Sequence, residues 1–164
     1  ENVVCGDNVI INDNVQLKNV IIGQNTKISR NIILYSPYKD KPIRIGKHVW
    51  LSHGVYGEAT GGEISIGDYS VIAHFTTLIT SNGPGLQSPK LNKIFPLDLG
   101  DVAIGSHCWI GTRCTILPNV FLREGIIVGA NSLLKSINYD DWSVYAGTPA
   151  RKVKVLDKNI FEEN

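Results

Sequence analysis

An aliphatic residue returns every six positions along most of this chain, and few folds accept so strict a step. The runs IGKHVW-LSHGVY, IGDYSV-IAHFTT-LITSNG and IGSHCW-IGTRCT-ILPNVF-LREGII-VGANSL place Ile45, Leu51, Ile66, Ile72, Leu78, Ile104, Ile110, Ile116, Leu122 and Val128 at the first position. Ile11, Leu17, Ile22, Ile28 and Leu34 continue the series toward the N-terminus. The fifth position holds small or β-branched residues, among them Val49, Val55, Ser70, Thr76, Cys108, Cys114 and Val120. A narrow interior between flat walls requires such residues. The fourth position collects Asn8, Asn14, Asn25, Asn31, Asn119 and Asn131, with Gly54 and Gly125. These types tolerate positive φ, so this position reads as a tight corner.

Three such walls make one triangular coil. Ile104 to Leu122 spans 18 residues, whereas Ile22 to Ile45, Ile45 to Ile66 and Ile66 to Ile104 span 23, 21 and 38. Each excess is a loop inserted at a corner, the largest at about 81–102. Long ordered loops on repeat scaffolds usually carry function. The expected fold is all-β: a parallel β-helix of about six coils over 1–137, followed by a strand, turn and tail over 138–164 packing on its end. Asn138 to Trp142 reads as a break in the six-residue pattern, and 156–164 as a polar segment with a short helix.

Composition narrows the function classes. With 164 residues, 43% of them hydrophobic, the chain suits one domain. A net charge of +1 is unlike a nucleic-acid binder, so no nucleic acid partner is expected. No apolar run approaches the ~18 residues of a membrane span, and no signal-peptide pattern opens the chain. There is no Met, so the native start is expected to lie outside this sequence. Three Cys without metal-ligand spacing suggest free thiols in a reducing, cytoplasmic setting. Cys5, Cys108 and Cys114 all read as core fillers.

The series IGSHCWIGTRCTILPNV, IIVGANSLLKS and VYAGTPARKVK, in that order, resembles the hexapeptide-repeat acyltransferases, specifically the branch that acetylates sugars. The resemblance covers nearly the whole chain. It implies a left-handed β-helix, a homotrimer, and acetyl-CoA as donor in a groove between subunits, with a small-molecule sugar as acceptor. Gly111 and Thr112 would line the pantetheine arm, with Gly129 and Ala130 offering backbone groups beside it. Arg151 and Lys154 would meet the CoA phosphates, and Trp109 would flank the acceptor. Surface polysaccharide or nucleotide-sugar metabolism is the implied setting.

The resemblance also implies a general-base His after a Thr-Ser-Asn-like run at the mouth of the long loop. Here Ser81 and Asn82 are followed by Gly83, which cannot move a proton. Ser81, Asn82 and Gly83 remain candidate acceptor contacts, while the base must come from elsewhere or be dispensable. His53 and His74 share the third position on neighbouring coils and are the catalytic candidates, with His74 the stronger. His48 and His107 read as corner residues. The primary expectation is O-acetylation of a sugar by direct transfer, since no activated Ser or Cys is evident. An amino-sugar N-acetyltransferase needing no protein base is the alternative. Two further readings stay open: a carbonic-anhydrase-like zinc site built on His53, His74 and a neighbouring His48, and a non-catalytic scaffold.

Overall fold

A computed structural model describes residues 1–161, with side chains through Asn159. Three parallel sheets form the walls of a triangular coil, in register throughout. The first wall stacks Val3–Cys5, Val20–Ile22, Ile43–Ile45, Ile64–Ile66, Val102–Ile104 and Val120–Leu122. Parallel to one another, Ile10–Ile11, Lys27–Ile28, Trp50–Leu51, Val71–Ile72, Trp109–Ile110 and Ile127–Val128 make the second wall. The third runs from Gln16–Lys18 through Ile33–Tyr35, Tyr56–Glu58, Thr77–Ile79 and Thr115–Ile116 to Leu133–Leu134. Six full coils result, and Ser143–Gly147 begins a seventh by pairing in parallel with Ile127–Val128.

The six-residue period works because one first-position side chain per wall points inward, where Ile28, Leu51, Ile72, Ile110 and Val128 stack almost fully buried. Gly57 is the exception, and Leu34 of the adjacent coil reaches within 2.7 Å of where its Cβ would sit. Fifth-position hydroxyls tie consecutive coils together. Thr76 Oγ1 donates to Gly111 O at 3.0 Å while accepting from the Cys114 N–H, and Ser70 does the same for Gly105 O and Cys108 N–H. Cys108 and Cys114 repeat this with their thiols, donating to Arg123 O and Gly129 O. Burial pushes the Cys108 thiol up to about 11 and raises that of Cys114. Cys5 is exposed rather than a core filler, because its coil has a neighbour on one side only.

Corners without an inserted loop turn at positive φ on a fourth position. The expected Asn and Gly are there, and so are His48, His107, Tyr69, Phe75, Arg113 and Trp142. Trp142, at φ 49°, shows that the pattern resumes at 140–145 instead of breaking; Ser143 and Tyr145 take the buried fifth and first positions. A Trp at the corner concealed it.

The chain then turns through Thr148 and a cis Pro149, and Ala150–Val155 returns antiparallel to Ser143–Gly147. A single 3₁₀ turn, Lys158–Phe161, follows, and the rest of the expected tail, 162–164, lies outside the described residues. The long loop leaves the third wall at Thr80. Its stem pairs Ser81–Asn82 with Asp98–Leu99, and it carries a short helix, Pro89–Ile94. Val102 is already in the first wall. No helix among the described residues is long and apolar enough to cross a membrane.

Candidate active site

The corner between the second and third walls collects most of the expected site residues in one column. At its second positions the side chains shrink along the axis, from Asn12, Ser29 and Ser52 to Ala73, Gly111, Gly129 and Ala146. Backbone bonds fix the stacking: Ser52 N–H donates to Ile72 O, Ala73 to Ile110 O, Gly111 to Val128 O and Gly129 to Tyr145 O, all at 2.8–2.9 Å. At the third positions lie Asp13, Arg30, His53, His74, Thr112 and Ala130. They are linked through Phe75 N–H to His53 O, Arg113 N–H to His74 O and Asn131 N–H to Thr112 O.

The lower half of this column is a trough. A Cβ on Gly111 would sit 2.6 Å from Val128 O and 2.7 Å from Ala130 N, so the backbone coils can approach closely only because Gly stands there. Gly129 faces Ala146, whose Cβ lies 3.0 Å from the position a Gly129 Cβ would take. Among the described residues, the N–H groups of Thr112 and Ala130 donate to no protein acceptor. They are available to a ligand lying in the trough.

The trough ends at the C-terminal hairpin, where Arg151 is registered opposite Ala146 and Lys154 opposite Val144. Residues three apart on a regular strand face opposite ways. A register shift between Val144 and Tyr145 alters this, so that Arg151 and Lys154 share the face of Ala146 and Val144. Lys152 is opposite the inward Tyr145 and is ion-paired to Asp140. That partner holds the Asp140 carboxyl below its ordinary range and raises the lysine.

Above the trough stand His74, exposed, and His53, half-buried and edge-on to Phe75 with ring centroids 5.1 Å apart. Both border a cleft of about 580 Å³ lined also by Asn12, Lys27, Ser29 and Arg30. Trp109 is on the outer face of the second wall beside this column, in register with Val71 and Ile127 and 53% exposed.

Ser81, Asn82 and Gly83 are not part of this column. They begin the loop at the opposite edge of the third wall, since Thr77–Ile79 separates His74 from Ser81. Gly83 adopts φ 153°, and a Cβ there would meet Leu97 Cα at 3.0 Å, so the stem is shaped around a glycine. His48 belongs to a third location, the corner between the first and second walls, stacked on Tyr69. No group of three metal-ligating side chains exists among the described residues of the chain.

Two features escaped the sequence reading. Lys27 and Arg30 were legible in principle, because Arg30, His53 and His74 follow the same 23- and 21-residue coil spacings. Glu58 had no such signal. Its carboxylate accepts from Tyr56 Oη at 2.6 Å and Thr60 Oγ1 at 2.9 Å, and the Thr60 hydroxyl contacts Ser81 Oγ at the loop mouth. The bond to Glu58 pushes the Tyr56 phenol up to about 12.

A coil of six-residue walls, with a glycine trough along one corner and a basic hairpin at its end, defines a parallel β-helix with one continuous groove. Comparison with known proteins carries this to a family, although no protein-family profile matches the chain. AntD, an N-acyltransferase from Bacillus cereus solved with dTDP and 3-hydroxybutyryl-CoA, is 30% identical with a TM-score of 0.78, over 98% of this chain and 86% of that one. The dTDP-4-amino-4,6-dideoxy-D-glucose acyltransferase of Escherichia coli is 29% identical over 96% of this chain and 84% of its own length. A putative colanic acid biosynthesis acetyltransferase, WcaF of Escherichia coli (strain K12), is 30% identical over 71% of this chain and 59% of its own. The chain belongs to the hexapeptide-repeat acyltransferases, in the branch that modifies sugars, and it is an acyl-CoA-dependent enzyme with a left-handed β-helix.

Proposed function

We propose that the chain transfers an acyl group, acetyl in the simplest case, from acyl-CoA to the amino group of a nucleotide-linked sugar. The observation that carries this reading is Gly83. The loop mouth, where hydroxyl-acylating relatives place a base, is packed against Leu97 and holds no imidazole. A neutral amine is already a nucleophile, so a site without that base favours N-acylation over the O-acylation first expected. The AntD and Escherichia coli relatives, named for acylation of an amino sugar or as an N-acyltransferase, support the same choice.

In this reading the pantetheine arm follows Ala146, Gly129 and Gly111, with Thr112 and Ala130 amides beside it. The CoA phosphates meet Arg151 and Lys154, and the thioester reaches His74. The amine attacks the thioester carbonyl, a C–N bond forms, and the C–S bond breaks to release CoA thiolate. The neutral amine attacks unaided; His74, with His53 next to it, takes the proton from the ammonium formed once the C–N bond is made, and coil amides stabilise the oxyanion. Trp109 flanks the acceptor. Ser81, Asn82 and Gly83 complete the pocket from a neighbouring copy in a homotrimer, since one chain holds the two halves at opposite edges of a wall. Exposed apolar side chains on the loop, Leu86 at 86% and Ile94 at 82%, suit such packing.

Release of CoA thiol from acetyl-CoA tests the proposal, with dTDP-4-amino-4,6-dideoxyglucose compared against the same sugar nucleotide bearing a 4-hydroxyl. Turnover with the amine alone is expected. Turnover with the hydroxyl alone would restore O-acylation.

A further inference from the structure

Lys27 and Arg30 make the upper end of the corner column a distinct place. Both are exposed and both line the 580 Å³ cleft, together with Asn12, Ser29, His53 and His74. No carboxylate lines that cleft. Among the described residues the ion pairs are Lys18–Glu1 and Lys152–Asp140, so neither cation is neutralised by the protein. Asp13 occupies the adjacent third position beyond Arg30 without reaching it. In a chain whose charges otherwise nearly balance, two permanent cations and two imidazoles around one cavity form a concentrated site for a polyanion.

The supporting contacts position these groups. Trp50 Nε1 donates to Ser29 Oγ at 3.0 Å, which fixes the indole against the second wall. The Lys27 ammonium then lies 5.3 Å from the Trp50 ring centroid, held over it by cation–π attraction. Asn12 Nδ2 donates to Ile28 O, steadying the amide at the cleft's edge. Arg30 contributes a planar fork suited to two phosphate oxygens at once.

Distance along the axis sets the ligand class. Parallel strands stack at ~4.8 Å, so Arg30 lies roughly 10 Å, two coils, from His74. A reacting substituent, one sugar ring and the diphosphate beyond it span about that length. The cavity falls within the roughly 300–1,000 Å³ usual for small-molecule sites and is too large for a single inorganic ion.

We propose that Lys27 and Arg30, with Asn12 and His53, form an anion subsite that holds the diphosphate of the acceptor while its sugar reaches His74. The inference rests on the nucleotide-sugar reading and assigns it a place. It makes the corner column one continuous site: donor phosphates at Arg151 and Lys154, the thioester at His74, and acceptor phosphates at Arg30. The other source of such an anion is CoA itself, so the test separates the two.

The experiment is calorimetric titration of wild-type protein and the Lys27→Ala/Arg30→Ala double variant with dTDP, thymidine and CoA. Both side chains are exposed, and a thermal melt verifies that the variant folds; the single variants Lys27→Gln and Arg30→Gln serve if it does not. The expected result is dTDP binding at least tenfold tighter than thymidine, a tenfold or greater loss of dTDP affinity in the variant, and unchanged CoA affinity. Equal dTDP affinity in variant and wild type, no dTDP binding to wild type, or loss of CoA affinity instead would each overturn the subsite. Should dTDP bind as expected while no amino-sugar nucleotide is acylated, the reaction proposed above fails and the subsite stands.

Discussion

The register shift in the C-terminal hairpin predicts which of four closely spaced cationic or apolar positions bind the donor. Arg151 and Lys154 share the face that continues the glycine trough, whereas Lys152 is turned away and paired with Asp140. Removing both Arg151 and Lys154 should therefore weaken acyl-CoA binding, and removing Lys152 should not. Both side chains are exposed, so each phosphate contact is worth about 0.5–1 kcal/mol, in the range of surface ion pairs. Their joint loss of about 1–2 kcal/mol corresponds to a roughly 5- to 30-fold higher Kd for acetyl-CoA. Lys152→Ala should change it by less than about twofold, and the effect of the double variant should shrink as salt screens the contact. Titration calorimetry at low and high ionic strength measures all three proteins. If Lys152→Ala weakened binding as much as Arg151→Ala/Lys154→Ala, the assignment of faces would be refuted, and with it the path of the donor.

Two further outcomes follow from named groups. His74→Ala should lower kcat by about 10²-fold, the lower end of proton-transfer contributions, while leaving acetyl-CoA affinity unchanged; full retained turnover would return His74 to an ordinary corner residue. Folding stability should also fall in alkali. Burial pushes the Cys108 thiol from 9.0 to about 11 and the Tyr139 phenol from 10.0 to about 12, so the unfolded chain loses these protons first. The stabilisation is complete below about pH 9 and is lost as pH rises through 11, with Cys108 accounting for about 2–3 kcal/mol. Urea midpoints at pH 8 and 10.5 measure this. Cys108→Ser should show a smaller drop, since Ser70 already fills the equivalent role in the preceding coil. An equal drop in both proteins would contradict the cause given.

The fold was legible because a six-residue step turns the fifth and first positions of every wall inward, and that periodicity survives in Ile45, Leu51, Ile66 and Ile72 despite the loops between coils. Corners were less legible. Tyr69, Phe75, Arg113 and Trp142 take positive φ, which for bulky side chains costs about 1–3 kcal/mol each and hides the position from a search for Asn and Gly. Ring contacts offset that cost. Tyr69 lies parallel between His48 and His107 at 4.7 and 5.1 Å, and Phe75 sits edge-on to His53 and within 5.9 Å of the Arg113 guanidinium.

For the candidate site, the motif residues Gly111, Thr112, Gly129 and Ala130 fell into line with His53 and His74 because equal coil positions stack, whereas Arg151 reaches the column's end through the hairpin's register shift. Arg30 belongs to the same line, but it sits in a coil without a motif. Glu58 could not be read at all. Its role at the loop mouth depends on Thr60 and Ser81, 21 residues apart, meeting across a corner whose loops have no period.

In this reading one corner column runs from donor phosphates to acceptor phosphates through His74. A crystal structure of the protein with acetyl-CoA tests it most directly. Pantetheine should lie against Gly129 and Gly111, with phosphates at Arg151 and Lys154 and the thioester sulfur beside His74. Donor density at another corner, or a thioester pointing away from His74, would contradict it.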